Sequence, residues 1–297
     1  MEIIAKVREL FRDVRKNKRD NEQIRLLIGS MLSKNIDLNK SYRDAEFKIF
    51  SQFGDDGIIQ FLIKKLNISV EKFVEFGVED YRESNTRFLL MHNDWQGLVI
   101  DGSKSQVELI KNDPMYWRHD LTAVHSFITA ENINQILLDN NFKGKVGILS
   151  IDIDGNDYWV WQAITVVDAD IVIVEYNGIF GSERAITVPY KPDFDRVSAH
   201  YSGLYFGASL QALCELGSKK GYAFIGSNRA GNNAYFLKKE IVGGLDIVSP
   251  EAGFVKSKFR EARNSSGELT FFNEEARKKE IANLPVINVI NNSYETV

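Results

Sequence analysis

The stretch from Lys145 to Ile179, KVGILSIDIDGNDYWVWQAITVVDADIVIVEYNGI, constrains the fold most. Two nearly all-apolar runs rich in Ile and Val, Gly147 to Ile153 and Asp170 to Tyr176, each end in acidic residues. They are too short for helices of that apolarity and read as strands buried on both faces, the pattern of a parallel sheet. Between them, Tyr158 to Val167 has the length and aromatic content of one packed crossover helix. The unit is therefore β-α-β with a right-handed crossover, and both strands finish on one edge. Open parallel sheets bind ligands at that edge. Asp152 and Asp154 end the first run, and Glu175 and Asn177 end the second. Residues two apart on a strand share a face, so each strand offers a pair of oxygen-bearing side chains. Three carboxylates gathered there repel one another and lose hydration unless a proton, donors or a cation compensates. This cluster is the expected floor of an active site.

The pattern extends in both directions. SQFGDDGIIQFLIKKLNIS reads as a helix capped by Asp55 or Asp56, followed by a first strand FVEFG, Phe73 to Gly77. GLVIDG, Gly97 to Gly102, is a second strand, and a weaker third falls between Met115 and Ile128. After a helix from Ser209 to Lys220, the runs GYAFIGS and NAYFLKK are separated only by Asn228 to Asn232. So short a link makes a hairpin but not a parallel crossover. The fold expected is α/β: a Rossmann-like, doubly wound, mostly parallel seven-stranded sheet closed by a C-terminal antiparallel hairpin. Three regions follow: a helical appendage over 1–45, the sheet domain over 46–240, and an extension over 241–297 that packs on the active-site edge. The appendage reads as two amphipathic helices, with Ile3, Ile4, Val7, Leu10 and Phe11 striping one and Ile24, Leu26, Leu27, Met31 and Leu32 the other, broken at KNKRDNEQ. Such helices pack on the domain or join subunits in a homo-oligomer.

With 37 basic and 41 acidic side chains among 297 residues, nothing global points to nucleic acid. The single Cys214 excludes an internal disulfide and a Cys-based zinc site, and its surroundings suggest packing. No run approaches the length of a membrane-spanning segment and no signal-peptide pattern opens the chain, so the cytoplasm is the expected location.

In FVEFGVEDYRESNTRFLL a strand meets a glycine, acidic residues and a helix start, so Gly77 either admits a ligand to the backbone or makes a tight turn. Asp101 ends the second strand, where an acid either takes the two hydroxyls of a ribose or caps the next helix. A nicotinamide cofactor is disfavoured because GVEDYRE replaces G-x-G-x-x-G, and no P-loop signature occurs. These blocks, together with LSIDIDGNDYWVWQAI, VIVEYNGIFG, YFGASLQALCELGSKKGYAFIGSNRAGNNAYFL and FREARNSSGELTF, resemble class I S-adenosylmethionine-dependent methyltransferases. Within that class the chain is similar to the FkbM-type enzymes and related bacterial surface-polysaccharide methyltransferases.

The resemblance implies an O-methyltransferase acting on a sugar or sugar-linked precursor of a capsule or lipopolysaccharide. It further implies that Glu75, Gly77 and Glu79 border the methionine end of the cofactor, Asp101 its ribose, and Ser126 or Phe127 its adenine. Two roles compete for the acidic floor. Asp152, Glu175 and Asn177 resemble a Mg²⁺ or Mn²⁺ site, as in catechol-type enzymes, since oxygen-only ligands suit those ions. Alternatively, Asp152 or Asp154 is a general base. His200, in SAHYSGLYFGAS, is either a second base or a surface hydrogen-bonding residue. Tyr176, Tyr201 and Tyr205 either stack on the acceptor or pack in the core. Arg184, Arg229, Arg260 and Arg263 are candidate clamps for a nucleotide-sugar or phosphorylated acceptor. Rival readings are the same fold methylating an amine or a phosphorus-linked group, and a non-catalytic assembly module.

Overall fold

The computed structural model describes residues 2–297, including all side chains except those of residues 2–5, 11, 15 and 18. Ten strands occur in chain order: β1 Lys72–Phe76, β2 Gln96–Asp101, β3 Leu121–His125, β4 Gly144–Ile151, β5 Val167–Glu175, β6 Ile186–Thr187, β7 Tyr222–Ser227, β8 Asn233–Lys238, β9 Pro285–Asn288 and β10 Ser293–Thr296. Seven form one sheet in the order β3-β2-β1-β4-β5-β8-β7. Strands β1 to β5 pair in parallel, and β8 runs antiparallel to both its neighbours. This is the doubly wound sheet with a closing hairpin that the Ile/Val runs and the five-residue link predict. The weak third strand is β3.

Strand alternation sends the two faces of the sheet into separate cores. Val74, Phe76, Leu149, Val172 and Val174 pack with the helices Ile133–Asp139, Asp157–Ala163 and Leu210–Lys219. Phe73, Val99, Ile148, Ile171 and Ile173 pack with Asp55–Lys65, Arg87–Asn93 and Lys104–Asn112 on the other side. Half-buried Cys214 packs at the edge of the first core, where burial pushes its thiol pKa up.

Two local expectations are corrected. The N-terminal region is one helix, Glu2–Lys34, without a break at KNKRDNEQ. That segment is polar but contains no Gly or Pro, and Lys, Arg, Glu and Gln all favour helix. Ile3, Ile4 and Phe11 of the expected stripe lie outside the described side chains. Neither Asp55 nor Asp56 caps its helix, whose N-cap is Gly54 without a side-chain bond. Asp56 instead accepts the backbone N–H groups of Ile49, Phe50 and Ser51 at 2.7 to 2.8 Å. Asp55 accepts from Asn228, Asn233 and Tyr235.

The C-terminal extension adds β9 and β10 to β6 in a second, three-stranded sheet, β10-β9-β6, over an apolar cluster that includes Ile179, Val188, Phe206, Ile281 and Val286. Before it, residues 254–259 cross the main sheet edge as a strap. Tyr176 Oη donates to Val255 O at 2.6 Å, Lys258 N–H donates to Ala230 O at 2.9 Å, and Arg277 Nη1 donates to Phe259 O at 2.7 Å. Among the described residues no helix is long and apolar enough to cross a membrane.

Gly77 locks the edge together. Its φ is +68°, and a Cβ there would lie 1.7 Å from the carbonyl oxygen of Asp152. The close approach expected at this glycine is therefore to the chain's own β4 end. Gly77→Ala should lower unfolding free energy by about 3 kcal/mol or more, from left-handed backbone strain plus a clash that only a backbone shift relieves. Urea denaturation measures this, and a loss below about 1 kcal/mol would show the two loops to be separable.

Candidate active site

A cavity of about 670 Å³ opens at the carboxyl ends of β1, β2, β4 and β5, with the strap as its far wall. Nine carboxylates and two guanidiniums line it. Its two ends differ. Beyond β3, Phe127 presents an aromatic ring that is 50% exposed, beside Ile128 and Gly102. Beyond β5 and β8 stand Ser257, Phe259 and Arg277 of the C-terminal extension.

Next to Phe127, Asp101 is 8% exposed and shapes the surrounding loops. Its Oδ2 accepts Glu79 N–H at 2.8 Å and its Oδ1 accepts Ser103 N–H at 2.7 Å. Each oxygen retains a second lone pair, so the carboxylate can accept two further donors. The N-cap of the following helix is Ser103, not Asp101. Ser126 lines the cavity, and its backbone N–H donates to Asp101 O at 3.0 Å. Glu79 is exposed, with φ +48°. Limited burial and the neighbouring carboxylates of Asp101, Asp80, Asp154 and Glu83 raise its pKa. Glu75 is turned to a structural task. It accepts Asn85 N–H at 2.8 Å and Thr86 N–H at 3.0 Å, ordering the loop before Arg87–Asn93. Burial outweighs these bonds and pushes its pKa up to about 7.

The acidic floor assembles with one substitution. Asp152, Asp154 and Glu175 each offer an oxygen within 4.8 Å of the others. Asp157 holds their loop by accepting Ile153 N–H at 2.8 Å and Gly155 N–H at 2.9 Å. Burial, then repulsion from Asp154 and Asp157, raises Asp152 well above the ordinary carboxylate range; burial, then repulsion from Asp152 and Asp154, does the same to Glu175. Repulsion between these two half-buried carboxyl groups favours protonation of the pair. Glu175 Oε2 is buried without a hydrogen-bond partner. Asp154 forms an ion pair with Arg196 at 2.5 Å. Arg196 also donates to Gly203 O and lies 3.8 Å from the Phe206 ring centroid, which fixes the guanidinium beside the acids.

Asn177, expected as a ligand beside Glu175, is committed elsewhere. Its Nδ2 donates to Leu204 O and Phe206 O, both at 2.9 Å, and its Oδ1 accepts Ile179 N–H at 3.0 Å. Asp154 takes its place in the cluster. Tyr176 lines the cavity, but its hydroxyl is spent on the strap. Tyr201, Tyr205 and His200 lie outside the cavity walls. The Tyr201 and Tyr205 hydroxyls donate to Glu280 and to Pro285 O, and His200 Nδ1 sits 2.7 Å from Ser202 Oγ. Leu204 and Phe206 of that loop line the cavity instead. Arg229 pairs with Asp44 at 2.9 Å, and Arg260 is exposed, both outside the walls. Arg184 pairs with Glu295, and Arg263 with Glu261. The sequence reading missed Arg196 and Arg277. Arg196 follows Asp195, an N-cap, which marks a short helix start, but no sequence signal aims either guanidinium at β4 and β5.

No family model matches the chain, and no curated protein matches it in sequence. Solved structures match by shape. The N-terminal domain of EvdMO1 with SAH bound is 9% identical, with a TM-score of 0.41 over 64% of this chain and 81% of that one. The O-methyltransferase from Bacillus cereus in complex with SAH is 10% identical, with a TM-score of 0.40 over 73% and 89%. PKMT2 from Rickettsia typhi in complex with AdoHcy is 12% identical, with a TM-score of 0.41 over 63% and 54%.

The raised carboxyl groups set an unusual pH dependence. Burial lifts Glu75 to about 7 and Asp56 and Asp157 to about 6, so the folded state holds their protons more tightly than the unfolded chain. Stability from these groups is fully present below their unfolded values, about 4, and is lost as pH rises through 6 to 7. The melting temperature at pH 6 should therefore exceed that at pH 8. A lower melting temperature at pH 6 would mean that the loop hydrogen bonds, and not burial, govern these groups.

Proposed function

We propose that the protein is an S-adenosylmethionine-dependent O-methyltransferase acting on a sugar or sugar-linked precursor of a bacterial surface polysaccharide. The observation that carries the reading is the cavity itself. An acid-lined pocket at the carboxyl edge has Asp101 with spare lone pairs beside a half-exposed Phe127 at one end, and the Asp152, Asp154 and Glu175 cluster further along. These features fit a cationic adenosyl cofactor: a ring to stack on adenine, a carboxylate for the ribose diol, and negative charge around a sulfonium. The acceptor class rests on the sequence resemblance.

Bound there, S-adenosylmethionine would supply an electrophilic methyl group, which an acceptor oxygen attacks in line as the carbon–sulfur bond breaks to leave S-adenosylhomocysteine. The chain's part is alignment and deprotonation. The acceptor's hydroxyl proton passes to the Asp152–Glu175 pair when one of its carboxyls is ionised, and the raised pKa makes that carboxylate a stronger base than an ordinary one. Arg196 pairs with Asp154 and steadies the cluster as it changes charge. The buried, unpartnered Glu175 Oε2 favours a second reading in which Asp152, Asp154 and Glu175 hold Mg²⁺ or Mn²⁺. Such an ion would lower the pKa of the acceptor hydroxyl.

Calorimetry with S-adenosylmethionine and S-adenosylhomocysteine tests the proposal. Micromolar binding is expected, weakened about tenfold or more by Asp101→Asn, because two charge-assisted hydrogen bonds lose an acceptor. Titrations without heat for both compounds, with and without Mg²⁺, would overturn it. Once an acceptor is found, turnover that survives EDTA supports the carboxylate base, and turnover lost to EDTA and restored by Mg²⁺ or Mn²⁺ supports the cation.

A further inference from the structure

Arg277 stands at the strap end of the cavity without an ion-pair partner among the described residues. The residue is 8% exposed and lines the cavity, yet its Nε has no hydrogen-bond partner, and among the described residues its one side-chain hydrogen bond runs from Nη1 to Phe259 O at 2.7 Å. Among the described residues no carboxylate lies within ion-pair distance of it. The nearby acids are engaged elsewhere: Glu274 pairs with Lys256 at 2.9 Å and Lys278 at 3.3 Å, and Glu261, on the cavity wall, pairs with Arg263 at 3.2 Å. A buried guanidinium without a counter-charge is costly, and the natural remedy is an anion delivered by the ligand. Burial lowers its pKa, the carboxylate of Glu274 offsets part of that from beyond ion-pair distance, and the like charge of Arg260 adds to the lowering.

Position separates this cation from the cofactor. The Phe127 end follows β3, whereas the strap is tied to β5 through Tyr176 and to the β7–β8 turn through Ala230. Four strand spacings from β3 to β5 amount to about 19 Å. A cofactor with its ribose on Asp101 keeps its amino-acid end near β1 and leaves Arg277 to the acceptor. We propose that Arg277 is the receptor for an oxyanion carried by the methyl acceptor, so that the acceptor is a phosphorylated or carboxylated molecule and not a neutral sugar. This rests on the methyltransferase reading for the word acceptor; the anion site itself stands on Arg277 alone. The planar fork of a guanidinium suits bidentate binding of such a group, and the surrounding carboxylates orient it by repelling the anion from the rest of the cavity.

The test uses inorganic phosphate, pyrophosphate and malonate at constant ionic strength on the full chain saturated with S-adenosylhomocysteine. At least one anion should raise the melting temperature of the wild type. Arg277→Gln should weaken that anion about tenfold while leaving S-adenosylhomocysteine affinity within about twofold. Preference for the phosphates or for malonate tells which oxyanion the site takes. Equal anion effects on wild type and variant, or none on the wild type, would overturn the proposal. So would loss of S-adenosylhomocysteine affinity in the variant, which would give Arg277 to the cofactor. Should Arg277→Gln not fold, Arg277→Lys keeps the charge without the fork, and the same anion should bind it more weakly. A wild type that binds the anion but neither adenosyl compound would remove the methyltransferase reading and leave the anion site.

The N-terminal helix carries a second, independent inference. At 33 residues it extends about 50 Å. It docks by one narrow face: Glu22 reaches Arg87 at 2.7 Å, a Cβ on Gly29 would meet Phe88 and Ile49, and Ser33 Oγ donates to Gln60 at 2.9 Å. On the opposite side Val7, Leu10, Val14, Asn17, Asn21, Ile24, Ile28 and Met31 recur at alternating spacings of three and four, and all are exposed. In heptad terms Val7, Val14, Asn21 and Ile28 occupy a, and Leu10, Asn17, Ile24 and Met31 occupy d. β-Branched a positions with a buried-type Asn favour two parallel strands in fixed register. The g residue Asp20 then faces the e residue Arg25 of the other copy, an attractive pair in the parallel arrangement. We infer that two copies of this chain associate through this helix as a parallel, in-register coiled coil, with their sheet domains on the outside.

Sedimentation equilibrium should return a dimer, and Ile24→Asp with Ile28→Asp a monomer that still binds S-adenosylhomocysteine. In a Cys214→Ser background, Asn21→Cys should form an interchain disulfide under mild oxidation, since in-register a positions meet their own copy. A wild-type monomer at micromolar concentration, a larger oligomer, or a dimer whose Asn21→Cys form does not cross-link would overturn the inference.

Discussion

Buried carboxylates give the ligand-binding edge its shape. The loop before Asp55–Lys65 wraps Asp56, the loop after β1 is held from both sides by Glu75 and Asp101, and the loop after β4 closes on Asp157. In each case one side chain on a strand or first helical turn accepts backbone N–H groups that the sheet cannot satisfy. The arrangement concentrates negative charge in a low-dielectric place, and the raised pKa values of Glu75, Asp56 and Asp157 measure its cost. A fold stapled this way needs compensating positive charge nearby.

Only part of that compensation comes from the protein. Arg196 pairs with Asp154, Lys48 with Glu83 and Arg263 with Glu261. Among the described residues the cavity-lining Glu75, Glu79, Asp101 and Asp195 have no ion-pair partner, which suits a cationic occupant. At the far wall the balance reverses at Arg277. The cavity is thus polarised along its length, acidic over most of the sheet edge and basic where the strap closes it.

The sheet was legible because its strands announce themselves: Ile and Val runs between Gly and acidic residues, and a five-residue link that admits only a hairpin. The order of the acids at the strand ends was legible for the same reason, since strand periodicity fixes which side chains share an edge. What the sequence hid lies in long-range side-chain commitments. Asn177 looks like a ligand beside Glu175, but two backbone carbonyls from a loop nearly thirty residues away and the N–H of Ile179 claim it. His200 and Tyr201 sit in the right loop and face the wrong way. Arg196 and Arg277 reach the cavity from a short helix and from the C-terminal extension, whose docking no local pattern encodes. The expected helix break at KNKRDNEQ failed because polarity was read as irregularity; the same polar residues interrupt an apolar seam without interrupting the helix.

The contact between Gly77 and the Asp152 carbonyl has a mechanical consequence. The loop that frames one end of the cavity and the strand end that bears the acids touch backbone to backbone, with no side chain between them to deform. Those two walls behave as a single rigid jaw. Freedom to admit ligands of different size falls to the opposite jaw, the strap, which is tied to the sheet edge by a tyrosine hydroxyl and one backbone hydrogen bond and braced by one arginine of the C-terminal extension.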